Sequence, residues 1–117
     1  VKNVNLQIED ICKNDLEGLP LYATASLFGK VANSHACDED IAIGIYYLVI
    51  QTIGCAAVLS ALNSGIKDIV PIGNLAQIPQ CRTIFKMIED LYKVRFHIPE
   101  HAEFRTAIGA ALCYKKP

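Results

Sequence analysis

The amino-acid sequence predicts a mixed α/β domain, in which strands alternate with helices around a partly parallel sheet. Three segments support this class. Residues 2–9 alternate apolar and polar side chains at the strand period of two, residues 80–93 carry apolar side chains at helical spacing, and residues 94–98 alternate again. The length of 117 residues matches one domain, so we expect residues 1–117 to fold as a single domain.

The first half of the chain is predicted to contain one strand, one short segment and one long helix. The strand covers about residues 2–9, and residues 21–31 form a short helix or a loop-to-helix passage. The acidic run at 38–40 suits a helix N-terminus, because carboxylates stabilise the positive end of the helix dipole. Residues 41–62 carry no charge and form the long helix, which Gly65 ends as a left-handed cap.

The second half is predicted to alternate strand, helix, strand and helix. Residues 67–72 are rich in β-branched side chains and form a buried strand, although Pro71 removes one ladder donor. A helix over about 80–93 follows, then the strand at 94–98. A closing helix spans residues 106–114.

Two small-residue segments are candidate ligand sites. Ligands in partly parallel sheets lie beyond the carboxyl ends of the strands, so we expect Gly73, Asn74 and the 99–103 loop at one functional edge. Glycine lets a ligand approach the backbone and asparagine both donates and accepts hydrogen bonds, although an ordinary strand-to-helix turn has the same residues. The small residues at 106–111, with Gly109 among them, suit packing against a sheet as well as against a flat ligand.

Composition and charge argue against several classes of function. Eleven basic and 12 acidic residues give a net charge of −1, and no basic run indicates a nucleic-acid partner. The five cysteines and three histidines lack the spacing of disulfide or metal sites. Residues 41–62 are long enough to cross a membrane, but their polar residues and glycines favour a core helix. We therefore expect a cytoplasmic protein with reduced cysteines, no metal site, and no membrane or nucleic-acid partner.

Four segments, taken in order, resemble one family. Residues 23–29 (ATASLFG) are similar to its A-x-A-S-x-F-G segment, and residues 51–54 (QTIG) to the x-x-I-G in the long helix that follows. Residues 69–74 (IVPIGN) resemble its strand and turn I-V-x-I-G-[NS], and residues 96–112 (FHIPEHAEFRTAIGAAL) its closing strand, loop and helix. The family is that of the type II and eukaryotic-type pantothenate kinases, in the actin-like, hexokinase-like ATPase superfamily.

The resemblance implies a ribonuclease-H-like lobe with a mixed sheet flanked by helices. It places residues 1–117 as the carboxyl-terminal lobe of a two-lobed kinase, with the amino-terminal lobe outside this chain. The full protein would use ATP and Mg²⁺ to phosphorylate pantothenate in coenzyme A biosynthesis. No catalytic residue is expected here, because the family's phosphate loop and acidic base lie in the other lobe, and the fragment alone is expected to be inactive.

By the same resemblance, Gly73 and Asn74 match the adenosine-side turn of the nucleotide site, and Gly109 and Ala110 pack near the nucleotide. Arg105, beside the closing helix, departs from the family pattern and is either a surface charge or a substrate contact. Pro71 in the preceding strand is a second departure, and the two keep a paralogue acting on a sugar or another small alcohol open as an alternative.

The resemblance also implies a homodimer. Thr24 and Ala25 match a stretch that approaches the pantothenate site of the neighbouring subunit, and coenzyme A or acyl-CoA are possible feedback ligands. We expect the 41–62 helix to be buried against the sheet and in the subunit interface, so that the isolated chain self-associates. A non-catalytic dimerisation or regulatory module is the other alternative.

Overall fold

The computed structural model describes residues 1–14, 16–33 and 35–114, and these residues confirm the mixed α/β class. Four helices and two small sheets are found in this part of the chain. In chain order the elements are β1 (Leu6–Gln7), α1 (Ile8–Ile11), β2 (Thr24–Ser26), α2 (Asp38–Leu62), β3 (Asp68–Ile69), α3 (Gln80–Tyr92), β4 (Arg95–Phe96) and α4 (Arg105–Tyr114). Short 3₁₀ helices cover Val31–Asn33, Asn74–Gln77 and Ala102–Phe104.

By its internal contacts the chain divides into two compact units, a first unit, Val1–Ile53, and a second unit, Gly54–Pro117. Each unit contains one two-stranded sheet, antiparallel in the first and parallel in the second. The described residues therefore hold two separate small sheets where one mixed sheet was expected.

In the first unit, β1 and β2 pair antiparallel with Leu6 opposite Ser26. The strand expected over residues 2–9 is wrong in extent, because the carbonyl of Val1 accepts the N–H groups of Val4 and Asn5 and closes a turn there. Of the two alternatives for residues 21–31, the short helix is wrong. Residues Thr24–Ser26 pair as β2 instead, since the antiparallel partner satisfies their backbone groups.

A fully buried asparagine supports the turn that follows β2. Asn5 accepts the backbone N–H of Phe28 on its side-chain oxygen, over 3.0 Å. Phe28 has the left-handed φ of 58°, a conformation that costs energy for a residue with a Cβ atom. An α-helix cannot continue through that backbone, which is a second reason why residues 21–30 do not form one.

The long helix α2 begins at the acidic run and ends at the predicted glycine. Asp38, in its first turn, confirms the expected N-terminus. Gly65 has a φ of 69° and donates to the carbonyl of Leu62, while Ile66 donates to that of Ala61, both over 3.1 Å. This pair of bonds is a Schellman cap, so the predicted left-handed stop is confirmed.

Most of α2 faces outward, contrary to the expectation that the helix is buried against a sheet. Only 22% of its most apolar 18-residue stretch is buried. The buried positions form one narrow stripe: Gly44, Ile50, Gly54 and Val58. By length and composition α2 could also cross a membrane, a test that core helices of soluble proteins pass as well.

In the second unit, β3 and β4 form the predicted parallel pair, with Ile69 opposite Phe96. The helix α3 lies against this pair, and the rings of Phe85 and Phe96 stack with centroids 4.3 Å apart. The core side chains of α3 are Cys81, Ile84, Phe85, Met87 and Ile88. Their spacing of three and four residues is the amphipathic pattern that predicted this helix.

The strand expected over residues 67–72 ends early. The structure limits β3 to Asp68–Ile69, two residues before Pro71, which has no N–H to donate to a ladder. Val70 and Ile72 are 58% and 52% exposed, so the expectation of a buried strand is wrong for its second half. The sequence pattern marks these residues as apolar, but nothing described in this unit covers them.

Candidate functional site

The loops that follow β3 and β4 are joined at one edge of the parallel pair. Gly73 donates its backbone N–H to the carbonyl of Ala102 over 3.0 Å. The 3₁₀ helices Asn74–Gln77 and Ala102–Phe104 then lie against each other. The expectation that the Gly73 turn and the 99–103 loop share one edge is therefore confirmed, because parallel strands deliver their carboxyl ends to the same side.

A cleft of about 310 Å³ opens between these loops and the start of α3. Its lining residues are Ala76, Gln77, Arg82 and residues 98–103. The sequence analysis placed the 99–103 loop at this edge but missed Gln77 and Arg82. Their only signal in the sequence is position, since they lie four and nine residues after Gly73 on the segment that leaves the edge.

The charges around this cleft are mixed. Arg82 is exposed and forms no ion pair with any described residue. Glu103 has one carboxylate oxygen that is buried and has no hydrogen-bond partner among the described residues. An unpaired buried acceptor is costly and favours a donor brought by a ligand or by another part of the protein.

The backbone of the 99–103 loop is held by local contacts. His101 has the left-handed φ of 53°, which is uncommon for a residue with a side chain. Arg105 donates its Nε–H to the carbonyl of Glu100 over 3.0 Å. The guanidinium that departs from the family pattern thus contacts the loop that lines the cleft.

The predicted nucleotide-binding residues fall into two places in the second unit. Gly73 has a φ of 109°, and a Cβ atom added there would meet no atom within 4 Å, so its backbone is open to a ligand. Asn74 is exposed, and its side chain forms no hydrogen bond with a described residue. Gly109 and Ala110 lie on the exposed helix α4, where a Cβ atom at Gly109 would also meet open space.

The residues predicted to lie near the substrate belong to the first unit. Thr24 is half-buried in β2, and its hydroxyl oxygen accepts the side-chain N–H of Gln51 over 3.0 Å. Ala25 follows it and is exposed. Sequence reasoning singled out Thr24 but not its bond to Gln51, because the two residues are 27 positions apart.

An ion-pair cluster joins β3 to β4 and to the residue that follows β4. Asp68 accepts from Arg95 Nε over 2.9 Å and contacts His97 Nε2 over 2.8 Å. The hydrogen bond with His97, followed by that with Arg95, lowers the pKa of the Asp68 carboxyl below its ordinary value. All three side chains are well exposed, so the cluster stabilises the strand pair only modestly.

The described residues contain no group of three or more His, Cys, Asp or Glu side chains that could hold a metal ion. The five cysteines carry free thiols, and only Cys81 is buried.

No protein-family model matches this chain, and no curated protein matches it either.

Proposed function

We propose that this chain is the nucleotide-binding lobe of an ATP-dependent kinase that phosphorylates pantothenate in coenzyme A biosynthesis. The observation that carries the proposal is the hydrogen bond between the loops after β3 and β4, at one edge of the parallel pair. There the Gly73 turn follows β3 and is bonded to Ala102 in the loop after β4. This is the position in which open α/β sheets bind ligands, and two of the four segments that resemble the kinase family, residues 69–74 and 96–112, include these two loops.

The side chains and backbone at this edge suit the nucleoside part of ATP. The open backbone at Gly73 allows close approach, and the free carboxamide of Asn74 can both donate to and accept from a base or a ribose. Gln77 and Arg82 extend this polar wall into the cleft. The role of this lobe is to bind and orient ATP, since phosphoryl transfer depends mainly on positioning and on charge stabilisation.

The ribonuclease-H-like fold is part of the same proposal. Parallel sheets are normally covered on both faces, yet Val70 and Ile72 beside the parallel pair are more than half exposed. We infer that further strands or a second lobe of the intact protein cover them. The acidic base and phosphate loop needed for catalysis would belong to that second lobe.

A second candidate function, a non-catalytic dimerisation module, is favoured by the exposed side of α2. Four exposed apolar residues of α2 in the first unit lie along one side of the helix, and we name them the α2 stripe: Ile45, Leu48, Val49 and Ile53. The last three follow Ile45 by three, four and eight positions. Exposed apolar stripes of this kind mark protein contacts. The kinase proposal uses the same stripe for a homodimer, so only phosphoryl transfer separates the two candidates.

The deciding experiment measures transfer of phosphate from ATP to pantothenate by the intact protein that carries this lobe. Asn74→Ala is expected to raise the KM for ATP about tenfold, because one hydrogen bond to the nucleotide is lost. Asn63→Ala removes a similar exposed amide just after α2 and should leave this KM unchanged. An intact protein that transfers no phosphate to pantothenate, or an Asn74→Ala variant with normal ATP kinetics, would contradict the proposal.

A further inference from the structure

The hydroxyl of Thr24 is held in one direction by Gln51. The side-chain N–H of Gln51 donates to the hydroxyl oxygen of Thr24 over 3.0 Å, and both side chains are half-buried within the first unit. A hydroxyl has one hydrogen to donate and two lone pairs. Since the bond from Gln51 uses the oxygen as an acceptor, the O–H of Thr24 remains to donate, and no described residue accepts it.

Both partners lie on well-supported backbone. Thr24 pairs with Gln7 across β1 and β2, and the flanking Ala23 is buried and accepts the N–H of Ile8 over 3.0 Å. Gln51 follows Ile50, which is 3% exposed and anchors this turn of α2. Because the backbones of both Thr24 and Gln51 are held in place, the Thr24 hydroxyl keeps a fixed orientation, as a binding group requires.

Thr24 also lies beside accessible surface. Ala25 and Ser26 follow it in β2, and both are exposed. A ligand on this surface would meet a half-buried hydroxyl whose hydrogen is free and whose oxygen is already bonded. Such a group prefers an acceptor, namely a carboxylate, carbonyl or hydroxyl oxygen.

We propose that Gln51 is a positioning residue, which directs the Thr24 hydroxyl to donate a hydrogen bond to an acceptor oxygen of the alcohol substrate. The proposal rests on the proposed function and on the motif resemblance, which implies that Thr24 approaches the pantothenate site of the neighbouring subunit. It adds the direction of the bond and the residue that sets it. The substrate class that fits is a hydroxy acid or hydroxy amide with an acceptor oxygen within reach of β2.

A substitution that reverses the direction of this bond provides the sharpest test. In Gln51→Glu the ionised carboxylate can accept but cannot donate. The Thr24 hydroxyl would then donate its hydrogen bond to the carboxylate of residue 51. It could no longer donate to the substrate. Thr24→Val removes the hydroxyl at nearly constant shape, and Thr24→Ser retains it.

Steady-state kinetics of the intact protein with pantothenate and ATP give the readout. Gln51→Glu and Thr24→Val are each expected to raise the KM for pantothenate about tenfold, with kcat and the KM for ATP changed less than about twofold. The double variant should be no worse than Thr24→Val alone, because Gln51 acts only through Thr24. Thr24→Ser should stay within about twofold of the unsubstituted protein.

Thr52→Val is the matched control. Thr52 is the next residue of α2, and its hydroxyl donates to the carbonyl of Leu48 over 2.7 Å rather than to Thr24. Its loss should leave the KM for pantothenate unchanged. Thr24→Val lies on a different element from Gln51→Glu, so the hydroxyl is tested even if the charged variant does not fold.

Three results would overturn the inference in an active enzyme. They are an unchanged KM for pantothenate in Gln51→Glu or Thr24→Val, equal rises in the KM values of both substrates, and additive effects in the double variant. The last two would indicate a structural role. An unsubstituted protein that transfers no phosphate to pantothenate would instead defeat the proposed function itself, and the inference with it.

Discussion

Gly73 donates its backbone N–H to the carbonyl of Ala102 over 3.0 Å, and this bond joins the loop after β3 to the loop after β4. Gly73 can do so because its φ of 109° and ψ of 171° lie in a region that is essentially closed to residues with a Cβ atom. The glycine of the motif is therefore required by the backbone, and the same backbone leaves open space where a ligand can approach.

Gly73→Ala should destabilise the joined loops after β3 and β4 and should weaken nucleotide binding. We expect a loss of about 1–3 kcal/mol in the free energy of unfolding, because alanine strains this backbone. The KM for ATP of the intact protein should rise about tenfold or more, since Asn74 moves with the turn. Gly18→Ala, at a φ of 78° in the first unit, is the control for backbone strain and should leave the KM for ATP unchanged. A normal KM for ATP in Gly73→Ala would remove Gly73 from the nucleotide site.

Gly29→Ala should destabilise the first unit. A Cβ atom at this position would lie 2.9 Å from the Cβ of Leu6 and 3.0 Å from that of Ser26. Both atoms are fixed to the β1 and β2 backbones, so relief requires the strands to shift, at a cost of about 1–3 kcal/mol. Gly109→Ala is the control in urea unfolding, because it adds a methyl group in open space on α4 and can gain up to about 1 kcal/mol of helix propensity. Equal unfolding midpoints for the two variants would contradict this packing.

Asp68→Asn should reduce stability at neutral pH and have less effect in acid. The partners His97 and Arg95 lower the pKa of the Asp68 carboxyl, so the ionised form is favoured in the folded state. The ionised Asp68 carboxylate therefore adds to the free energy of unfolding above the ordinary aspartate pKa, and this contribution is lost as the pH falls below about 4. Urea unfolding midpoints at pH 7 and pH 3 measure this difference. Asp68→Asn should bring its own midpoints at pH 7 and pH 3 closer together than those of the unsubstituted protein. Glu17→Gln is the control, because it removes an exposed carboxylate with no ion pair among the described residues, and it should leave the difference between pH 7 and pH 3 unchanged. A constant deficit of Asp68→Asn from pH 7 to pH 3 would contradict the ionic contribution.

Charge on the α2 stripe should prevent self-association. Ile45 and Ile53 are each about half exposed, and Ile45→Glu or Ile53→Glu would place a carboxylate in an apolar contact between two copies. Sedimentation equilibrium without detergent should show a dimer for the unsubstituted chain and a monomer for either variant.

Ile11→Glu is the control for this experiment, because Ile11 is an exposed isoleucine on α1, outside the stripe. It should leave the dimer intact. A chain that is monomeric at high concentration would contradict the dimer. A chain that stays dispersed only in detergent would indicate that α2 contacts lipid instead.

The correct and incorrect sequence predictions differ in the range of the interactions involved. The helices α2, α3 and α4 and the cap at Gly65 were predicted, because capping residues and 3.6-residue periodicity are local signals. The joining of the two loops at one edge was also predicted, since it follows from a parallel strand pair. The structure shortens the strand expected over residues 2–9 to Leu6–Gln7 and rejects the short helix considered at 21–31, because the turn at Val1 and the pairing of β1 with β2 override the local pattern.

The sequence by itself determined the α/β class, the helices of the second half and the position of the Gly73 turn, because residues close along the chain settle each of these. Only the tertiary structure decided which apolar residues are buried, which polar groups are paired, and where a cleft opens. The pair of Gln51 and Thr24, the buried oxygen of Glu103 and the exposed stripe of α2 all belong to this second kind. Burial and hydrogen bonding depend on neighbours that are distant in the chain, and no local pattern contains them.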